Sequence, residues 1–475
     1  MAQLARFQDL PVELLPLVLQ HVVRPSHLTA LCLVNKSFYT FAVPLLYERV
    51  FIYAWHKEGK IKVIKLFRSD STWETAVHAL DAEQMLTSMG AVIRDFPKAL
   101  QSEEHDTILE LCLNGIRNCV DLKACTWTRH GSLTSRVLET LVECPRLSEL
   151  EVNGQHNNYY DPRILPRFTH LRKLSLIMPS GGSHLQGKLS LVLKSILTLN
   201  ASVEQSSTRV TDGVLHQIAP HMPNLEYLYL VGCPKVTHEG LWAVLSSIYK
   251  GIVGLGLEGV STAFDMALFS ERCNRAGALT RLRSITLTVD EHTSLAQWQQ
   301  HVITLLANAP LQQFHLSTVG GHVNHRLSDD FCQAIVNAHG SRLTRFSVHR
   351  MRMSLDAIAY ICAHCTALQQ LFIVVAQQDL GALGPCLARA PNLRAIHVNR
   401  PLDYGSEDVP KPSYDKILDI VRQCRPTVKQ FGFNTRVFQV ERSAKVNADG
   451  SVTTDVTLSP YENPEIPEQF LVVRT

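Results

Sequence analysis

No stretch of this 475-residue sequence reaches the roughly 18 uninterrupted apolar residues that a membrane-spanning helix needs. Val12 to Val23 comes nearest, but Glu13, Pro16 and Gln20 interrupt it and no small-residue cleavage pattern follows, so it does not read as a secretory signal. The expectation is a soluble intracellular chain, cytoplasmic and/or nuclear. Lysine and arginine form no block, and the net charge of +3 is spread over the whole length, which removes the electrostatic case for nucleic acid or membrane as a partner. There is no Gly-x-Ser-x-Gly. The glycine pairs at Gly181 and Gly320 lack the Lys-Ser/Thr of a phosphate loop and read as turns. No nucleophile, base and orienter fall into a recognisable set, so no active site, cofactor or metal is expected. The one Cys-x-x-Cys, Cys362 to Cys365, has no second pair at zinc-finger spacing, and His322-x-x-His325 has no carboxylate or thiol beside it. The twelve cysteines therefore read as buried structural thiols, several of them where a helix hands over to the next strand, at Cys144, Cys365 and Cys424.

What the chain does have is a recurrent hexad, Leu-x-x-Leu-x-Leu with conservative replacements. It begins at Leu147, Leu171, Leu225, Ile252, Leu282, Leu311, Leu343, Leu368, Leu393 and Val428, with a weaker copy at Leu197-x-Leu199. Each block has the alternation of a short strand buried on one face, and helix-like stretches such as Glu239 to Tyr249 and Ser328 to His339 follow. One strand and one helix cannot hide their own apolar faces, so the units must stack. The fold expected is an α/β solenoid, a leucine-rich-repeat horseshoe with its parallel sheet on the concave side and helices outside.

Residues 1–50 do not share the repeat. Leu14, Leu15, Val18, Leu19 and Val22 lie on one helical face, Leu28, Leu31 and Val34 on a second, and Phe38, Phe41, Ala42, Leu45 and Leu46 on a third. Ser26 is read as the cap of the second helix, and Pro44 as shortening the third. So small a bundle carries more apolar side chains than it can bury, which implies a docking surface. Residues 51–121 read as degenerate first repeats and a junction, 122–434 as the repeats, and 435–475 as a hairpin around Asn447 to Gly450 with a capping tail.

Leu10-Pro11-Val12-Glu13-Leu14, followed by Leu28 and Leu31, Val34-Asn35-Lys36-Ser37-Phe38 and Pro44-Leu45-Leu46-Tyr47, resembles an F-box of the fungal type, a family in which leucine-rich repeats follow directly. The resemblance implies an amino-terminal three-helix F-box that binds a Skp-type adaptor, and through it a cullin. The repeats would then hold an unknown client protein for ubiquitination and degradation. By matching position, the adaptor-facing residues would be Leu10, Pro11, Glu13, Leu14, Val18, Leu31, Val34 and Phe38. The Trp common late in the family's motif is absent, and Tyr39 or Phe41 stands in its place. A repeat protein that binds partners outside any ligase is the alternative.

Strand alternation also assigns a binding face. If the hexad leucines point into the core, the residues between and just after them point to the other side. Tyr227, Tyr229, Glu258, His315, Arg345, His349, Phe372 and His397 are the expected client contacts, with the two tyrosines bordering a shallow floor at Gly254 and Gly256. Arg345, His349 and His397 form a mildly basic half that suits an acidic part of the client, opposite Glu149 and Glu151.

Overall fold

The structure is a computed structural model. It describes residues 11–22, 25–46, 49–51, 90–92, 122–127, 133–153, 159–177, 198–202, 210–289, 293–318, 326–401, 412–446 and 451–460, with single residues or pairs near 110–117 and at 196. The chain divides into two compact units, Met1–Val203 and Glu204–Thr475.

The first unit opens with a 3-10 turn, Val12–Leu14, that runs into α1 (Leu15–Leu19), followed by α2 (Pro25–Cys32) and α3 (Lys36–Leu46). Pro25 starts α2, where its missing amide costs nothing, so Ser26 lies in the first turn and not before it as the sequence suggested. Asn35 starts α3, its Oδ1 accepting the Phe38 amide at 2.9 Å, and Pro44 falls in that helix's last turn. Leu15, Leu19, Leu28, Phe38 and Ala42 form the core of this module. β1 (Arg49–Phe51) and β2 (Gly90–Val92) pair in parallel; most of the stretch read as degenerate first repeats, 51–121, lies outside the described residues. Further along, β3 (Ala124–Trp127), β4 (Glu149–Asn153), β5 (Lys173–Ile177) and β6 (Thr198–Ser202) form a parallel ladder in chain order, with Cys125, Leu150, Leu174 and Leu199 in one row. The helix α4 (Ser135–Val142) connects β3 to β4.

The second unit repeats this arrangement. Its strands are β7 (Tyr227–Val231), β8 (Gly254–Glu258), β9 (Ser284–Val289), β10 (Gln313–Thr318), β11 (Arg345–Val348), β12 (Gln370–Val374), β13 (Ala395–Asn399) and β14 (Gln430–Phe433). All pair in parallel and in chain order, the topology of a repeat solenoid. α5 (Asp212–Ile218) precedes β7, and α6 (His238–Ser247), α7 (Met266–Ala276), α8 (Leu295–Leu306), α9 (Asp329–His339), α10 (Leu355–His364), α11 (Leu383–Leu387) and α12 (Tyr414–Gln423) lie between successive strands. Leu228, Leu255, Ile285, Phe314, Phe346, Leu371, Ile396 and Phe431 make one buried row, facing the apolar sides of these helices. The Phe314 ring meets Phe346 at 5.3 Å and Phe331 of α9 at 6.1 Å, joining strands to helix directly. Each unit thus has a leucine-rich-repeat-like fold.

A recurring polar link sets the spacing between repeats. The first residue of a helix bonds to the capping residue of the next: Ser135 Oγ accepts the Asp161 amide at 2.9 Å, His238 Nδ1 the Asp265 amide at 3.1 Å, and Asp329 Oδ1 the Ser354 hydroxyl at 2.7 Å. Asp212 does this most fully. Its Oδ1 accepts the Thr237 amide at 2.8 Å and the Gly240 amide at 3.2 Å, and its Oδ2 accepts the Thr237 hydroxyl at 2.6 Å. Only glycine fits at Gly240, because a Cβ there would stand 2.3 Å from Asp212 Oδ1. Asp212→Ala orphans the amides of Thr237 and Gly240 at the start of α6, and it is expected to cost about 2 kcal/mol in urea unfolding.

At the carboxyl end β14 is followed by β15 (Arg436–Val446) and β16 (Val452–Pro460), both antiparallel. This is the expected hairpin; its turn residues Asn447–Gly450 and the tail from 461 lie outside the described residues. β15 closes the end of the ladder. On β16 the Tyr414 hydroxyl donates to the Leu458 carbonyl at 3.1 Å and accepts its amide at 3.0 Å, which occupies one stretch of a free edge. The described cysteines are all free and all but Cys32 are buried, as the sequence implied, and burial pushes the Cys365 and Cys424 thiols up to about 12.

Candidate functional sites

The eight residues expected to contact a client all fall on one face of the second unit's ladder, in three rows. Tyr227, Gly254, Ser284, Gln313, Arg345 and Gln370 stand side by side in the first row, and Tyr229, Gly256, Thr286, His315, Ser347, Phe372, His397 and Gly432 in the second. Glu258, beside Val231, and His349, whose amide bonds to the Leu316 carbonyl, belong to the third.

Their exposure divides them. Tyr227, Tyr229, Glu258, Arg345, His349 and His397 are half-buried. His315 and Phe372 are 5% and 3% exposed, so the structure removes both from the expected contact set. His315 Nδ1 lies 2.7 Å from the Ser347 hydroxyl, and Phe372 stacks on His397 at 6.2 Å. The shallow floor is also corrected. A Cβ on Gly254 would stand 2.4 Å from Tyr227 Cδ1, and one on Gly256 2.3 Å from Tyr229 Cδ1. The tyrosine rings therefore lie over the glycines and fill the space they leave. His397 does the same over Gly432, a pairing the sequence reading missed.

Burial sets the charge on this face. It pushes His315 down to about 3, helped by the His349 and Arg345 charges, so that ring is neutral. Burial raises Glu258 to about 7 against the opposing pull of Arg350. Arg345 donates through Nε to Gln370 Oε1. Near neutral pH the face therefore carries Arg345 as a cation and Glu258 as a half-protonated acid. The acids Glu149 and Glu151 belong to the first unit, where Glu149 pairs with Lys173 at 3.7 Å.

No family model matches this sequence, and no curated protein matches it. Solved structures do resemble it at low identity. A chain of the TLR13-ssRNA13 complex is 14% identical with a TM-score of 0.35, over 66% of this chain and 46% of that one. A chain of the Rad7 and Elc1 complex of yeast is 13% identical with a TM-score of 0.35, over 86% of this chain and 97% of that one. A chain of the Toll and Spatzle complex of Drosophila is 11% identical with a TM-score of 0.31, over 66% of this chain and 45% of that one. This chain thus spans less than half the length of the TLR13 and Toll chains it matches.

The amino-terminal module offers a different surface. Leu17 is 56% exposed, Val34 59% and Leu33 86%, and Val12, Leu14 and Val18 are exposed as well. Pro11 and Glu13 are exposed beside them, and Leu31 is half-buried. Phe38 is not on this surface: it is buried in the module's own core, a correction to its expected place among the adaptor contacts. Leu10 lies outside the described residues. Among the described residues no group of His, Cys, Asp or Glu is placed to hold a metal ion, and no helix is long and apolar enough to cross a membrane.

Proposed function

We propose that this protein is the substrate receptor of a cullin-RING ubiquitin ligase, in which the amino-terminal module is an F-box that takes a Skp-type adaptor and, through it, a cullin. The repeats form the horseshoe whose concave face holds a client protein. The chain itself is non-catalytic and acts in the cytoplasm or nucleus by bringing a client to the transfer machinery, supplying proximity and no chemistry of its own.

The observation that carries this reading is the run of exposed Val12, Leu14, Leu17, Val18, Leu33 and Val34 on a module whose own core needs only Leu15, Leu19, Leu28, Phe38 and Ala42. Covering each such side chain is worth about 1.5–3 kcal/mol, enough for several together to hold a partner. The residues that the F-box resemblance assigns to the adaptor include Leu14, Val18 and Val34 among them.

Purified protein is expected to co-elute with a Skp-type adaptor in size-exclusion chromatography. Leu14→Asp, Val18→Asp and Val34→Asp combined should weaken that binding by about a hundredfold or more, since a loss of about 1 kcal/mol or more at each of the three contacts suffices for that. Circular dichroism checks that the variant stays folded. A wild-type protein that does not bind the adaptor would leave the repeat scaffold outside any ligase as the better reading.

A further inference from the structure

The segments that lead from each helix of the second unit into the next strand carry charge of one sign. From Ala219 to Lys429 these short segments hold eight lysines and arginines and a single carboxylate, Glu226, which is paired with Arg281 at 3.6 Å. The segments at the other end of the strands mix signs, with Lys235, Asp265, Arg326 and Asp379.

Some of these cations serve the fold. Arg342 donates to the Ala338 carbonyl and Arg425 to the Ala388 carbonyl, where cations offset the negative ends of helices. Arg283, Arg394 and Lys429 are different. Each immediately precedes a strand, is exposed, and has a side chain with no hydrogen-bond or ion-pair partner among the described residues.

Backbone bonds place them in one row. The Arg283 carbonyl accepts the amides of Gln312 and Gln313, that of Gln312 accepts Thr344, that of Thr344 accepts Gln369, that of Gln369 accepts Arg394, and that of Arg394 accepts Lys429. Arg394 and Lys429 are therefore neighbours on adjacent strands, about 4.8 Å apart along the ladder. Like charges set opposite each other weaken a sheet, so the pair is not there for stability.

We propose that this rim, centred on Arg283, Arg394 and Lys429, is a docking surface for an extended acidic segment of a protein partner. From Arg283 to Lys429 the row spans five strand spacings, about 24 Å, the length of about seven residues of extended chain. Between the cations stand Gln312, Thr344 and Gln369, whose amides and hydroxyl hydrogen-bond a peptide backbone. Among the described residues no exposed aromatic side chain lies in the row between Arg283 and Lys429, as a single-stranded nucleic acid would need for stacking. Exposed Tyr249 lies outside it, toward β7.

The test uses the full chain without adaptor, so its outcome does not depend on the ligase reading. The probe is a fluorescent peptide of about twelve residues alternating glutamate and glycine, and an oligothymidylate of about twelve nucleotides is the competing probe. The peptide is expected to bind, to weaken as salt rises from about 50 to about 300 mM, and to lose at least about tenfold in affinity when Arg283→Glu, Arg394→Glu and Lys429→Glu are combined. Lys235→Ala, at the other end of the strands, should leave peptide affinity unchanged. All three rim residues are exposed, and circular dichroism verifies the fold of the variant. Charge reversal that leaves affinity within about twofold, or tighter binding of the oligothymidylate than of the peptide, overturns the proposal.

Discussion

Phe346→Ala is expected to lower the unfolding free energy by about 3–5 kcal/mol, measured by urea denaturation followed by far-ultraviolet circular dichroism. The ring is fully buried on β11, 5.3 Å from Phe314, which in turn meets Phe331. Removing it empties the middle of three consecutive repeats. In a ladder each unit is supported only by its neighbours, so the loss cannot be shared over a wide core. Phe346→Leu keeps most of the volume and should cost less than about 1.5 kcal/mol. Equal costs for the two variants would mean that the phenyl stack does not hold these repeats together.

The second large effect is on the pH dependence of stability. His315 is held neutral by burial down to about 3, and His339 down to about 4, whereas both take up protons near 6.5 once unfolded. The unfolded chain therefore binds more protons as the pH falls from about 6.5, and stability drops, by roughly 3 kcal/mol per histidine at pH 4. Glu258 acts in the opposite sense. Its folded value of about 7, against 4.5 ordinarily, means that the native carboxyl keeps a proton the unfolded chain has released, so stability is lost as the pH rises from 4.5 through 7. Between 4.5 and 6.5 two histidines outweigh one carboxyl, and the stability maximum is expected near pH 6.5. Glu258→Gln should match the wild type below pH 4.5 and exceed it by up to roughly 3 kcal/mol at pH 8. Superimposable urea-stability profiles for the two proteins across this range would show that Glu258 is not desolvated in the way described.

The repeat ladder was legible because alternation survives conservative replacement: every hexad meets a strand, and Leu199 of the weak copy lies on β6. β3 was overlooked for the same reason in reverse. Its version, Leu122-x-x-Cys125-x-Trp127, puts a thiol and an indole in leucine positions, and all three are buried. Alternation also placed these residues together on one face of the sheet, but could not say which side chains lie under others. That depends on the register of neighbouring strands, which sets His315 against Ser347 and Phe372 against His397. In the module, helical periodicity found three apolar faces, yet position alone could not separate Phe38, which turns inward, from Val34, which does not. The bonds from Asp212, His238 and Asp329 to the next cap join residues 25 to 27 apart, and no local pattern announces such a partner.

The aromatic rings laid over glycines have a consequence for engineering. Tyr229 and Gly256 belong to adjacent repeats, as do Tyr227 with Gly254 and His397 with Gly432, so each pair straddles a boundary at which modules would be cut and rejoined. A transplanted repeat that brings a side chain to either half of such a pair collides with the ring it inherits. Chimaeras spliced at these junctions should fold only when both members of a pair travel together.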